Sequence, residues 1–510
     1  MLRKLLALVF ASIVSTLAHA NAPVIRVVAD GSVLQGRLAK LRELGATAGV
    51  RVEWAYLNAF PEPPQQWMAA ADLLIIEAPL QSARQRVEAS VGEQLARVSV
   101  PRLEATTRRE SYSGMPERQG RTLIEYYRNG GEANLRNFFS YFRAWHAKED
   151  FSKVPAPMVV PVNGYYHPDA PRLFAKLGDY IAWGQQRWKP NAPRVAMAIH
   201  ASAFATLQTQ VIDAAIRRSE RLGQIPLPFW FDAEDPDALR KALRPAQVDV
   251  LINMQHMGNG RARMPEFEQL RIPVLQTLNY RDGTAEEWKK ETSGAPSRLV
   301  APFIAVYETW GMSDPLVIAA VANGVLVPMQ PQVDAVLRKA SALAQLRHTP
   351  PAEKRLALMF WNYPQGEKNF SASNLNVPRS LESLTRALHE AGYKVPPATE
   401  QQIIETGQTL LSVLYHHDRL DTLLTAGLAA TLPIKKYNEW LATTSPTVRS
   451  QMRERWGDPQ AHWAVRNIGG EPQFVIPRWQ LGNLLLMPQM PRGGTPGEGY
   501  HDGALPPDHL

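Results

Sequence analysis

The chain has 510 residues, 45% hydrophobic and 20% charged, with a formal net charge of +8 and no cysteine. That length suits about three domains, each able to bury a core without covalent staples, and the missing cysteines exclude disulfides and thiolate metal sites. The basic surplus is spread along the chain and no basic run interleaves with aromatics, which argues against a nucleic-acid partner and leaves a mildly positive surface suited to carboxylate-rich ligands.

Arg3 and Lys4 give the chain a basic start, residues 5–17 are mostly apolar, and Ala18-His19-Ala20 is a small-x-small cleavage site. The spacing predicts a secretory signal peptide over residues 1–20. Thirteen residues are too few to cross a bilayer comfortably, and no later segment is apolar for long enough, so no transmembrane segment is expected after cleavage. The mature chain, at +6 without Arg3 and Lys4, is expected in an exported compartment, most simply a bacterial periplasm.

Residues 21–150 read as a first α/β domain. Strands are predicted at 24–29, 50–56 and 72–77, with a helix at 33–45. Residues 151–190 are a proline-rich connection and a helix, marked by Pro155, Pro157, Pro161 and Pro168. A second α/β domain is predicted over 191–350, with strands at 194–199, 227–231, 248–252 and 273–277. Its helices fall at 208–222, stopped by Gly223, and at 333–347, ended by Thr349-Pro350-Pro351. Strands alternating with helices predict parallel sheets. The fold class is therefore α/β: several consecutive Rossmann-like or flavodoxin-like domains, then an irregular segment over 446–510 where the pattern weakens.

The third α/β domain, 351–445, opens on the apolar run Leu356 to Trp361, which predicts a fully buried strand. Asn362-Tyr363-Pro364 stops it, and a polar loop with Gly366 and Asn369 follows. Pro378 fits the first position of a helix, Leu381, Leu384 and Leu388 line one helical face, and Gly392 suits a left-handed cap. The loop thus follows the carboxyl end of a strand, where open α/β sheets place ligands. Trp361, Tyr363 and Phe370 gather aromatic rings around it.

Elsewhere, His167 sits in a proline-fixed loop after Tyr165 and Tyr166. His200, Asn253 and His256 fall at or just beyond predicted strand ends, so strands sharing a sheet would bring them to one carboxyl edge. His416-His417-Asp418 looks like a metal cluster, but neighbours on a helix point about 100° apart and do not easily share one ion. No GxGxxG opens a helix after a strand and no GxxxxGK[ST] occurs, so no ATP site is expected in this chain.

NYPQGEKN followed by VPRSLESLTRALHEAGY resembles the large subunit of cobaltochelatase (CobN) and the related H subunit of magnesium chelatase. Collinear segments extend the resemblance from about residue 120 to the end. They include Asn134-Leu-Arg-Asn137, the stretch Gly164 to Pro171, Asp249 to Asn253, Ile272 to Gln276, Val475 to Asn483, Pro488 to Gly494, Tyr500-His501 and Leu505-Pro-Pro507.

The resemblance implies a tetrapyrrole ligand and a divalent metal, cobalt first with iron and magnesium as alternatives. The implied activity is metal insertion into a corrin or porphyrin. Tetrapyrrole contacts are expected from Asn362, Tyr363, Pro364, Gly366, Asn369, His167, Asn253 and Arg492, and metal ligation from His501 and His509, because imidazole suits cobalt, iron and nickel. In such enzymes separate AAA+ subunits handle ATP. The family's His-Phe-Gly-Thr-His-Gly-type motif lies past the last residue. The chain is thus expected to be the N-terminal portion of a chelatase, with AAA+ subunits or a C-terminal chelatase polypeptide as partners. Two further readings are an exported tetrapyrrole- or haem-binding protein without catalysis and a haem dechelatase of haem uptake.

Overall fold

The computed structural model describes residues 22–79, 81–105, 111–372 and 374–491, which form two compact units divided between Arg347 and His348. The predicted signal peptide and Arg492, His501 and His509 lie outside the described residues.

The first unit holds two sheets. One contains β1 (Val24–Ala29), β2 (Arg51–Tyr56), β3 (Leu73–Glu77), β4 (Arg102–Ala105) and β5 (Ser111–Ser113), in the order β2-β1-β3-β4-β5. All pairings are parallel except β4 with β5. Successive strand side chains point to opposite faces. In β3, Leu73 and Ile75 join a core under the helices Gln35–Thr47, Glu117–Asn129 and Gly131–His146, while Leu74 and Ile76 join one under Pro64–Ala69 and Gln81–Ala96. Helices on both faces explain why the central strands β1 and β3 are apolar at nearly every position rather than alternating.

The second sheet contains β6 (Gly164–Tyr165), β7 (Arg194–Ala198), β8 (Ile225–Trp230), β9 (Val250–Asn253), β10 (Val274–Tyr280), β11 (Ser313–Ala322) and β12 (Val325–Pro328). Its order is β12-β11-β10-β9-β7-β8-β6. The five inner strands are parallel and both edge strands antiparallel. The helix Gln330–His348 covers one face with Val333, Val336, Leu337, Ala340 and Ala344, a spacing that makes one helical stripe.

Close backbone contacts join the two sheets. Gly36 N–H donates to the carbonyl of Gly324 at 2.8 Å, and a Cβ on Gly36 would lie 2.1 Å from Val325 Cγ1. Gly130, at φ +53°, lies so near Ala205 that a Cβ would come within 2.2 Å of its carbonyl oxygen. Beside this contact the Arg37 guanidinium donates to Glu77 Oε1 at 2.5 Å and to the Ala205 carbonyl at 3.1 Å, while Tyr127 O–H donates to Glu77 Oε2 at 2.6 Å. Arg37 and Glu77 are only 5% and 6% exposed. The proline-rich connection is fixed by amides: Asn134 makes two hydrogen bonds to the Met158 backbone, and Asn129 Oδ1 accepts from Val160 N–H.

The second unit has two small sheets. One orders β13 (Leu356–Phe360), β18 (Leu484–Pro488) and β17 (Trp479–Leu481), with β13 and β18 parallel. The other orders β14 (Ala429–Pro433), β16 (Glu471–Pro477) and β15 (Val465–Ile468), all antiparallel. Two expectations change here. The strand expected to be fully buried is an edge strand, paired only with β18, with Ala357 exposed and Met359 52% exposed. The segment expected to be irregular supplies β15 to β18 and the helix Pro446–Trp456 among its described residues. Its short strands form two local hairpins, β15 with β16 and β17 with β18, and the distant strands β14 and β13 add to them through β16 and β18.

Glu77→Ala would strand the Arg37 charge in the interior. It should cost about 3–5 kcal/mol in denaturant unfolding, and the paired Arg37→Met, Glu77→Leu variant should recover most of that.

Candidate functional site

The loop after β13 is built around Asn362. This side chain is buried, and its amide N–H groups donate to the carbonyls of Gly366 at 2.9 Å and Asn369 at 2.6 Å. Its oxygen accepts from Tyr415 O–H at 2.6 Å, and Gly366 N–H donates to that same hydroxyl oxygen at 2.8 Å. Asn369 donates from its side chain to the Gln365 carbonyl at 3.0 Å. Gly366 has φ +154°, and a Cβ there would sit 2.8 Å from Asn369 Nδ2, so a side chain would push the loop open. The two asparagines therefore hold the loop's shape from within.

Tyr363 is held the opposite way. Its backbone N–H donates to the Ser371 carbonyl and its carbonyl accepts from Ser371 Oγ, which leaves the side chain 46% exposed. Tyr363 pairs with Ala372, and Ala372 with Leu375, which is 55% exposed. Phe370 packs inward on Phe360 at 4.3 Å between ring centroids. After the loop, Asn376 caps the helix Val377–Glu390 by accepting from Arg379 N–H at 3.1 Å, and Pro378 takes the second helical position. Glu367 is held by Arg419 and by His416 at 3.2 Å, and His417 stacks on Trp463 at 4.0 Å, so the three-residue acidic and histidine run is divided between different partners.

His167 and Asn253 lie in the other unit and point inward. The His167 ring is buried against Trp183, 4.7 Å between centroids. Its Nδ1 accepts from Asp169 N–H at 3.1 Å and its Nε2 lies 3.3 Å from Glu220 Oε1. Asn253 pairs with Ala198 across β9 and β7, as expected for strands sharing an edge, but its side chain donates to Gln276 Oε1 at 2.7 Å and to the Gln255 carbonyl at 3.0 Å. His200 and His256 remain exposed near that edge. Among the described residues no three His, Asp or Glu side chains stand together as a metal cluster would need, and no helix is long and apolar enough to cross a membrane.

One further feature carried no sequence signal beyond His200 at the end of its strand. The carboxyl ends of β3, β4 and β7 face a common cleft of about 520 Å³ in the first unit, lined by Glu77, Ala105 and His200 among others. Its parts are scattered from Arg37 to Thr206 and match no short motif.

A family model described as CobN/Magnesium Chelatase matches residues 124–510. The chain belongs to the CobN/magnesium chelatase family. It is 27% identical over 378 residues to the magnesium-chelatase H subunit of Chlorobaculum parvum, covering 70% of this chain and 28% of that protein. It is 24% identical over 415 residues to the aerobic cobaltochelatase subunit CobN of Pseudomonas aeruginosa, covering 78% and 32%. The fold is similar to that of the catalytic subunit of cobaltochelatase from Mycobacterium tuberculosis, with a TM-score of 0.65 and 20% identity over 96% of this chain and 40% of that one. The chain thus spans about three-tenths of the length of these two curated relatives. The NYPQGEKN loop, which carries the resemblance in its contiguous string, lies inside the matched residues.

Tyr415→Phe would leave both Asn362 Oδ1 and Gly366 N–H without their partner. It should cost about 1–3 kcal/mol in unfolding of the second unit and speed hydrogen exchange at Gly366. Burial lowers the His167 pKa below its usual value, with Glu220 opposing. The folded state then binds fewer protons than the unfolded one, so stability should fall as pH drops below about 6.5. Glu220, Asp169 and Arg187 surround the ring, and both carboxylates are held below their usual range, so their titration falls in a lower window. The difference in melting temperature between wild type and His167→Gln should therefore shrink between pH 8 and pH 5.5.

Proposed function

We propose that this chain is the tetrapyrrole-holding part of a CobN-type metal chelatase large subunit, working on a corrin or porphyrin and a divalent metal, cobalt ahead of magnesium or iron. The observation that carries this reading is the loop after β13. Its backbone is fixed from inside by Asn362, Asn369 and Tyr415, while Tyr363, Met359 and Leu375 present an exposed apolar and aromatic surface around it. Such a surface costs free energy in water unless a ligand covers it, and a flat macrocycle would cover several side chains at once. Lys368, exposed in the same loop, would meet a carboxylate arm of the ligand. Asn362, Pro364, Gly366 and Asn369 then act by shaping the loop, and Tyr363 by contact.

The metal is substrate in this reading. We assign its delivery to His501 and His509, whose imidazoles suit cobalt and iron, and to a C-terminal chelatase polypeptide, with AAA+ subunits as the further partners the family resemblance implies. Residues 1–20 support export, with a bacterial periplasm as the proposed site.

Titration with haem, protoporphyrin and a metal-free corrin precursor should quench tryptophan emission saturably at micromolar concentration. Tyr363→Ala should weaken that binding by about 0.5–1.5 kcal/mol with little change in melting temperature. Absence of saturable quenching by any of the three would sink the proposal. A mutant that binds normally but melts much lower would make Tyr363 a packing residue.

A further inference from the structure

The cleft between the two sheets of the first unit is untouched by the macrocycle reading, which rests on the second unit. Parallel α/β sheets place ligands at the carboxyl ends of their strands, where the chain turns outward and leaves a crevice. Here both sheets direct that edge to the same space: Glu77 ends β3, Ala105 ends β4, and His200 follows β7. The cleft's volume of about 520 Å³ is within the usual range for small-molecule sites.

Its chemistry is unequal. Val159, Val160, Pro161 and Val162 form an apolar wall, with Val159 69% and Val162 68% exposed. That wall is held in place, since Asn129 Oδ1 accepts from Val160 N–H at 2.8 Å. Glu77 is the acidic side chain among the described lining residues, and both of its oxygens are engaged, by Arg37 and Tyr127. A cationic ligand therefore finds no open negative charge there.

Arg128 lines the cleft and is exposed. A guanidinium carries five N–H donors, so it can take a carboxylate while keeping other contacts. His200 adds a donor. Its Nδ1 accepts from Ser202 N–H at 3.1 Å, which in the neutral ring leaves the proton on Nε2.

We propose that this cleft binds a small amphipathic carboxylate, its anionic end on Arg128 and His200 and its hydrocarbon body against Val159 to Val162. The anion is a carboxylate rather than a phosphate because one guanidinium, one imidazole and an apolar wall suit a single charge on an apolar body. The site is preformed. Arg37 fixes the Ala205 carbonyl on one side, and the Asn129 contact fixes the valine wall on the other.

The test is calorimetric titration of the purified chain with hexanoate and benzoate, alongside hexylamine and inorganic phosphate. Hexanoate or benzoate should bind saturably, and the amine and phosphate should not. Arg128→Gln, a surface change, should weaken carboxylate binding about tenfold or more, and Ala201→Phe should fill the cleft and abolish binding. Tyr363→Ala should leave it unchanged, which separates this site from the macrocycle surface. The proposal is overturned if neither carboxylate binds at millimolar concentration, if phosphate or hexylamine binds as well, or if folded Arg128→Gln binds like wild type. Should Ala201→Phe fail to fold, Arg128→Gln decides alone.

Discussion

The buried pair of Arg37 and Glu77 is the constraint on which the first unit depends. A carboxylate and a guanidinium taken out of water lose several kcal/mol of hydration each, and only close mutual contact with further hydrogen bonds offsets that loss. Both conditions are met. Tyr127 fills the second oxygen of Glu77, and the spare guanidinium donor reaches the Ala205 carbonyl in the neighbouring lobe. The pair thus does more than neutralise itself, because it ties the end of β3 to the turn after β7. Gly130 makes the same junction possible sterically, since any side chain there would collide with the Ala205 backbone. The cleft has defined walls because this junction and the one at Gly36 and Gly324 fix the two lobes against each other.

The second unit solves a different problem. On the proposed function, the loop after β13 must be stiff enough to present its contacts and open enough to receive a macrocycle. Asn362 supplies the stiffness with both of its amide donors and its acceptor, and a shared Tyr415 hydroxyl extends the network to Gly366. Openness shows in Met359 on the edge strand β13 and in Tyr363 just beyond it, which are 52% and 46% exposed. In a fully buried strand the same residues would be core. The family membership and the loop geometry therefore meet on one short stretch, from Leu356 to Asn376.

Much of the fold was legible locally. The strands at β1, β2, β3, β7, β9 and β10 and the helices at 35–47, 210–221 and 330–348 lie within a few residues of their predicted places. Period and punctuation are properties of adjacent residues: Gly223 and Gly392 end helices in left-handed conformation as their sequence positions suggest. The family was legible too, because NYPQGEKN is a contiguous string. His167 shows where such reading stops. Nothing in Tyr165-Tyr166-His167-Pro168 tells that Trp183 and, 53 residues away, Glu220 enclose the ring. Asn253 was correctly placed at a strand end, yet Gln276 on the neighbouring strand turns its side chain inward.

The sequence by itself determined the alternation of strands and helices, the α/β class, the position of the loop and the family. Each is encoded in residues adjacent in the chain or spaced by one helical or strand period. Tertiary structure alone decided that β13 is an edge, that the stretch after Pro446 completes two sheets, that Arg37 finds Glu77 forty residues on, and that two sheets share one cleft. Those outcomes depend on which distant groups are driven together when apolar faces are buried and charges must be paired, and no local pattern carries that information.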